Sequence, residues 1–189
     1  MLTTTNLTAL FHELVRGAMT AQQVESSETT EFYLVQLLEA FARPVSGNLL
    51  DPPLALDYLE AVNLPAPKRY EKLKRVADTA LFITGVFVDS LDRSLVGPEY
   101  YTALGRNAYA RLSAQPPRAG LAELFREMAG RFPEFVRVLT EISAQELFRR
   151  EQDTVRLYKR WLHTRSQHEA DLLVRRGIIP FAPSTHHRH

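Results

Sequence analysis

The stretch from residue 67 to residue 112 constrains the fold more than any other part of the chain. Pro67 suits the first position of a helix, because its missing N–H would have no partner there, and the next proline is Pro98. Between residues 79 and 88 nearly every residue is apolar, and a helix that is apolar on all sides is normally enclosed by other helices. The stretch therefore predicts a buried central helix from about residue 68 to residue 91.

The rest of the chain carries apolar residues at the spacing of amphipathic helices, separated by segments rich in proline and serine. No stretch alternates apolar and polar residues as a half-buried strand would. We therefore predict an all-α fold, a single bundle-like domain of about eight or nine helices over residues 1–180. Residues 181–189 are expected to form a loosely ordered tail. The pattern of residues 133–163 fits either one long helix or two helices with a break near residues 151–153.

Composition narrows the classes of protein and of chemistry. With 189 residues, 45% of them hydrophobic and 24% charged, the chain is typical of a globular domain. The net charge of +1 provides no overall attraction to nucleic acid or to an anionic membrane. The absence of cysteine excludes disulfides, thiolate metal ligands and cysteine nucleophiles. The first residues lack the pattern of a signal peptide, and the longest apolar run is too short to cross a bilayer, so we expect a cytoplasmic protein.

One face of the predicted central helix combines polar and small residues. At about 100° per residue, Asp78, Gly85 and Asp89 project from nearly the same line, with Arg93 one turn further on. The segment after Gly97 carries a matching stripe that includes Gly105. We expect Gly85 to pack against the helix of Gly105, because glycine lets two backbones approach closely.

This face defines a candidate polar cluster of six residues: Asp78, Asp89, Arg93, Tyr101, Arg106 and Tyr109. Buried carboxylates must be paired or hydrogen-bonded, so one interpretation is a polar network that holds the helices in register. The other interpretation is a ligand pocket or a catalytic acid and base. Ion-pair networks perturb pKa values as readily as active sites do, and the structural interpretation is favoured.

Sequence motifs for cofactors and metals are missing. No glutamate has a histidine three residues later, and no His-Glu-x-x-His, Gly-x-Gly-x-x-Gly, phosphate-binding glycine loop or Gly-x-Ser-x-Gly turn occurs. The sequence thus predicts no metal, no cofactor and no catalytic residue.

A basic stripe in the C-terminal third raises a separate hypothesis, that the protein binds nucleic acid. On the other interpretation the stripe is a solvated helix face, which the small net charge favours. Its residues are Arg149, Arg150, Arg156, Lys159, Arg160, Arg165, Arg175 and Arg176.

Three stretches carry a resemblance to a known group of proteins: EFYLVQLLEAFARP, DTALFITGVFVDSLDRSLVGPEYYTALGRNAYARL and RWLHTRSQHEADLLVRRGIIP. Together they resemble a family of bacterial all-helical proteins of about this length. The resemblance implies a bacterial single-domain protein, and it transfers no activity, cofactor or site.

Three classes of function follow from these observations. The favoured class is a non-enzymatic interaction or regulatory protein that acts through protein partners or self-association. The second class is a small-molecule binder or enzyme that uses the candidate polar cluster. The third class binds nucleic acid through the basic stripe, which the charge balance disfavours. A closed core around Gly85 would argue against the second class, and a concave pocket there would argue for it.

Overall fold

A computed structural model describes residues 4–42, 54–87, 96–118, 120–145 and 166–175, together with Leu157 and Trp161. The regular structure in these ranges is entirely helical, which confirms the predicted all-α class. The helices are α1 (Thr4–Ala21), α2 (Glu28–Ala42), α3 (Leu54–Asn63), α4 (Ala66–Val86), α5 (Pro98–Ala114), α6 (Leu121–Gly130), α7 (Phe132–Ala144) and α8 (Gln167–Arg175). No helix in the described ranges is long and apolar enough to span a membrane.

The predicted central helix is α4. It begins beside Pro65, with Pro67 in its first turn, and every residue from 76 to 85 is buried. It packs most extensively against α5, and also against α3 and α7. Because neighbouring helices cover α4 on several sides, its sequence is apolar around most of its circumference.

The central helix ends at Val86, five residues before the predicted end. Phe87 leaves the helical conformation, with φ −113° and ψ 26°. Its ring packs edge-on against Phe82, with the ring centres 5.8 Å apart. Glycine and β-branched residues have low helix propensity, so the pair Gly85 and Val86 makes this a weak point in the helix.

The chain leaves the helical conformation after α7, so residues 133–163 do not form one long helix. The helix α7 ends at Ala144, and Gln145 is extended, with φ −71° and ψ 135°. One continuous helix is therefore excluded. The break lies at Gln145, before residues 151–153, which fall outside the described ranges.

The main core is formed by α1 to α7, with Ala61 as the buried contribution of α3. Its largest fully buried side chains include Phe11, Tyr109, Phe125, Phe132 and Phe135. A second, smaller cluster consists of Leu157, Trp161 and Leu173, with parts of α8 packed against it.

Candidate functional site

The centre of the candidate site is Asp78, a carboxylate on α4 whose residue is 8% exposed. Its Oδ1 atom accepts hydrogen bonds from the Tyr109 hydroxyl on α5 at 2.7 Å and from the Tyr33 hydroxyl on α2 at 2.5 Å. Its Oδ2 atom accepts from Lys74 Nζ at 2.6 Å. Lys74 and Asp78 are one helical turn apart, so their side chains meet on one face of α4. The carboxylate therefore links three helices of the core.

Aromatic rings surround this carboxylate. The Tyr109 side chain is completely buried. The rings of Tyr33 and Tyr109 both contact Phe125 on α6, with ring centres 6.0 and 6.1 Å apart. Lys74 Nζ lies 4.9 Å from the centre of the Tyr33 ring, which adds a cation–π attraction. The Lys74 side chain keeps 37% of its surface exposed and the Asp78 side chain 12%, so the lysine is the most exposed member of the network.

Both tyrosine hydroxyls remain protonated in this environment. Burial raises the pKa of Tyr33 well above its usual value, and the negative charge of Asp78 raises it further. Burial and then Asp78 raise the pKa of Tyr109 in the same way. Removing a proton would place two negative charges side by side in a region of low polarity. The tyrosines therefore act as hydrogen-bond donors at neutral pH.

The network is fully satisfied. Among the described residues, no buried side-chain nitrogen or oxygen lacks a hydrogen-bond partner. Three donors from the protein occupy the two oxygens of Asp78. A substrate would have to compete with these three donors for the carboxylate. This arrangement suits a structural network better than an acid or base for catalysis.

The structure brings together two members of the six-residue candidate cluster, Asp78 and Tyr109. Tyr101 packs beside Ile83 in a small apolar cluster, and its ring contacts that of Tyr100 at 5.2 Å. Arg106 is exposed. Its Nε atom donates to the carbonyl oxygen of Ala129 at 3.2 Å, where it stabilises the end of α6.

Two other candidates of that cluster, Asp89 and Arg93, lie outside the described residues. The same holds for the basic stripe in the C-terminal third, apart from the backbone of Arg175. These assignments stay predictions.

The two candidate glycines are tightly packed, but the predicted contact between Gly85 and the helix of Gly105 is wrong. A Cβ atom added at Gly85 would lie 2.4 Å from Leu139 Cβ on α7. A Cβ atom at Gly105 would lie 2.5 Å from the Phe132 ring and 3.1 Å from Ala80 Cβ on α4. Ala80 thus takes the position on α4 that we expected Gly85 to hold. A helix that is buried on all sides does not reveal from its sequence which side faces which neighbour.

Sequence reasoning missed two members of the network, Tyr33 and Lys74. Lys74 lies four residues before Asp78, a spacing typical of ion pairs on one helix face, and this signal could have identified it. Tyr33 lies in an otherwise apolar stretch of α2. No local signal there distinguishes a tyrosine that bonds to a carboxylate from one that only fills the core.

A second polar network joins the start of α2 to α6 and α7. Glu127 Oε2 accepts from Thr30 Oγ1 at 2.7 Å and from Ser27 Oγ at 3.1 Å. Arg131 donates to Glu127, Glu134 and the carbonyl oxygen of Glu25. Because three acceptors occupy its guanidinium group, Arg131 is not available to an external anion.

Arg131 also borders an open cleft of about 840 Å³. The other charged residues that line this cleft are Arg16, Glu25 and Glu31. Arg16 and Glu31 lie 3.9 Å apart. The charges of this cleft therefore compensate one another within the protein.

In the described ranges, no three histidine, aspartate or glutamate side chains come together as a metal site would require. Comparison of the chain with protein-family models, with curated proteins and with solved structures gave no significant match. Inference about function therefore depends on the geometry alone.

Proposed function

We propose that this chain is a non-enzymatic helical interaction protein, which acts through a protein partner or through its own copies. The observation that carries the proposal is the outer face of α3. Leu56 and Leu59 are 62% and 59% exposed, and at a spacing of three residues they lie on the same side of the helix. Single exposed leucines are ordinary, whereas adjacent ones form an apolar patch of the kind found at protein interfaces.

The contacts on the inner face of α3 determine which residues of this helix point outward. Leu54 and Ala61 are buried, and Asp57 pairs with Lys72 and Arg75 of α4 at 3.1 Å. These contacts fix the rotation of α3, so the two leucines are held at the surface. A patch held in place has a smaller entropic cost of binding than one that must first be ordered.

The closed network around Asp78 supports the same class of function. Protein donors occupy both of its oxygens, and the backbone at Gly85 is covered by Leu139. The alternative of a catalytic or ligand site at this cluster therefore loses support. The proposal retains the expected bacterial origin and cytoplasmic location.

The test replaces both leucines of the α3 patch with aspartate. Sedimentation velocity over a range of protein concentrations measures self-association, and affinity capture from the native host measures binding of a partner. We expect a concentration-dependent mass or a stoichiometric partner for the natural chain, and the loss of either in Leu56→Asp/Leu59→Asp.

The matched control, Ala103→Asp/Asn107→Asp, places two aspartates on an exposed face of α5. Its self-association and partner binding should equal those of the natural chain. A monomer at all concentrations with no partner dependent on the two leucines would contradict the proposal. A stoichiometric bound metabolite without a protein partner would contradict it as well.

A further inference from the structure

A second feature, distinct from the α3 patch, is a partly enclosed cleft of about 170 Å³ between the first turns of α4 and the end of α5. Arg69 and Tyr70 line it from α4, and Arg111 and Gln115 line it from the other side. Leu73 and Leu112 are both buried and form its apolar floor.

The charged residues that line this cleft are all basic. None of its described lining residues is acidic. Among the described residues, Arg69 and Arg111 have no carboxylate within ion-pair distance. Among the other described arginines, Arg16, Arg75, Arg126 and Arg131 are each paired with a carboxylate, whereas Arg106, Arg118 and Arg137 are not. The cleft thus brings together two cationic groups that no carboxylate of the described ranges neutralises.

The position of Arg111 is fixed although its charge is not compensated. Its Nε atom donates to the Tyr58 hydroxyl of α3 at 2.6 Å, and its guanidinium carbon lies 5.7 Å from the centre of the Tyr58 ring. Only Nε is occupied by this contact. The two terminal nitrogens remain available as a planar pair of donors, which matches the geometry of a carboxylate or phosphate group.

Two further groups favour an anion at the same place. Ala66, the first residue of α4, lines the cleft, and the amino end of a helix carries partial positive charge. Burial raises the pKa of Tyr70 from its usual value. The Tyr70 hydroxyl is therefore protonated at neutral pH and can donate a hydrogen bond.

We propose that this cleft binds a small organic oxyanion, namely a carboxylate or phosphate group attached to a compact apolar body. The two arginines would hold the oxyanion, and the apolar body would lie on Leu73 and Leu112. The cleft is small, with a volume of about 170 Å³. That space suits a compound with one ring rather than a nucleotide.

The test uses isothermal titration calorimetry at constant ionic strength with four probes: benzoate, phenyl phosphate, acetate and inorganic phosphate. We expect saturable binding at a single site for benzoate or phenyl phosphate. The matching probe without the ring should bind at least about tenfold more weakly, because it buries no apolar surface. Comparison of benzoate with phenyl phosphate distinguishes a carboxylate from a phosphate ligand.

Two kinds of variant locate the site. Arg69→Gln/Arg111→Gln should weaken binding at least about tenfold, because it removes both guanidinium groups. The matched control Arg126→Gln/Arg137→Gln removes two exposed arginines of α6 and α7 and should bind like the natural chain. Ala66→Leu keeps every charge but fills the cleft, and it should also weaken binding.

Three results would overturn the proposal. One is the absence of saturable binding for all four probes up to about 10 mM. Another is equal binding by the natural chain and Arg69→Gln/Arg111→Gln. The third is unchanged binding in Ala66→Leu. This variant becomes the deciding test of the cleft if thermal melting shows that Arg69→Gln/Arg111→Gln is not folded. None of these results depends on the α3 patch.

Discussion

At the scale of single residues, Asp78 is the most demanding group in the core. Taking an ionised carboxylate out of water is costly unless hydrogen bonds replace the lost hydration. Two tyrosine hydroxyls and one ammonium group do so here, and bonds to a charged acceptor are stronger than those between neutral groups. The network requires α2, α4 and α5 to be in one relative register, because all of these bonds are directional.

The variant Tyr109→Phe tests this account at neutral pH. It removes one donor from the carboxylate while it keeps the ring in the core. We expect the free energy of unfolding to fall by about 1.5 to 3 kcal/mol, as for other hydrogen bonds to charged groups. Denaturant unfolding measures the change. The control Tyr100→Phe alters a tyrosine that is 39% exposed and should stay within about 0.5 kcal/mol of the natural chain.

The same variant should change the response to alkaline pH. The folded pKa of Tyr109 lies above its ordinary value of 10.0, so above this pH the unfolded chain loses a proton that the folded chain retains. The contribution of each such tyrosine to the stability of the natural chain is therefore fully present below pH 10 and declines as the pH rises, by about 1.4 kcal/mol per pH unit. Without Tyr109, the decline should be less steep. Parallel declines in the two proteins would mean that Tyr109 ionises freely.

At the scale of helices, the contact of α4 with α7 depends on Gly85. The side chain of Leu139 occupies the space that a side chain at residue 85 would need. Because Gly85 has no Cβ atom, the two helices can pack closely. The stabilisation from this packing outweighs the low helix propensity of glycine.

The substitution Gly85→Ala should accordingly destabilise the protein by about 1 to 3 kcal/mol through overpacking. Gly17→Ala is the matched control, because a Cβ atom added at Gly17 in α1 would meet no atom within 4 Å. It should stabilise the protein by about 0.5 to 1 kcal/mol through better helix propensity. Thermal or denaturant unfolding compares the two. A stabilising effect of both substitutions would show that Leu139 can move aside.

At the scale of the whole molecule, the described apolar residues form one large core, a small group around Ile83, and a small cluster of Leu157, Trp161 and Leu173. Local stability follows the number of buried apolar contacts, so the small cluster should open more easily than the large core. Trp161 is the only tryptophan of the chain, and its fluorescence therefore reports on the small cluster alone.

We expect the fluorescence of Trp161 to change at a lower denaturant concentration than the far-ultraviolet circular dichroism, which reports mainly on the helices of the large core. The free energy of unfolding from fluorescence should be the smaller of the two. Coincident transitions would mean that both clusters unfold as one cooperative unit.

The helical class and most helix positions could be predicted from the sequence, because both follow from local features. The apolar period of about 3.6 residues identifies the helices, and proline at the first turn of α4 marks its start. Asp78 could also be singled out, since a carboxylate within an apolar segment must find partners nearby. The end of α4 at Val86 was harder to predict, because the low helix propensity of Gly85 and Val86 weakens a helix without requiring it to stop.

Which helices meet, and which side chains complete the site, depends on contacts between distant segments and could not be predicted. Tyr33 reaches Asp78 from a segment 45 residues away, and the packing of α2 against α4 cannot be read from either segment alone. Gly85 faces α7 instead of α5 because a helix that is apolar on all sides has no preferred face. Arg69 and Arg111, which pair with no carboxylate of the described residues, line the same cleft because the start of α4 lies beside the end of α5. Local periodicity specifies where helices form, whereas their pairing depends on side-chain packing between segments that are distant in the chain.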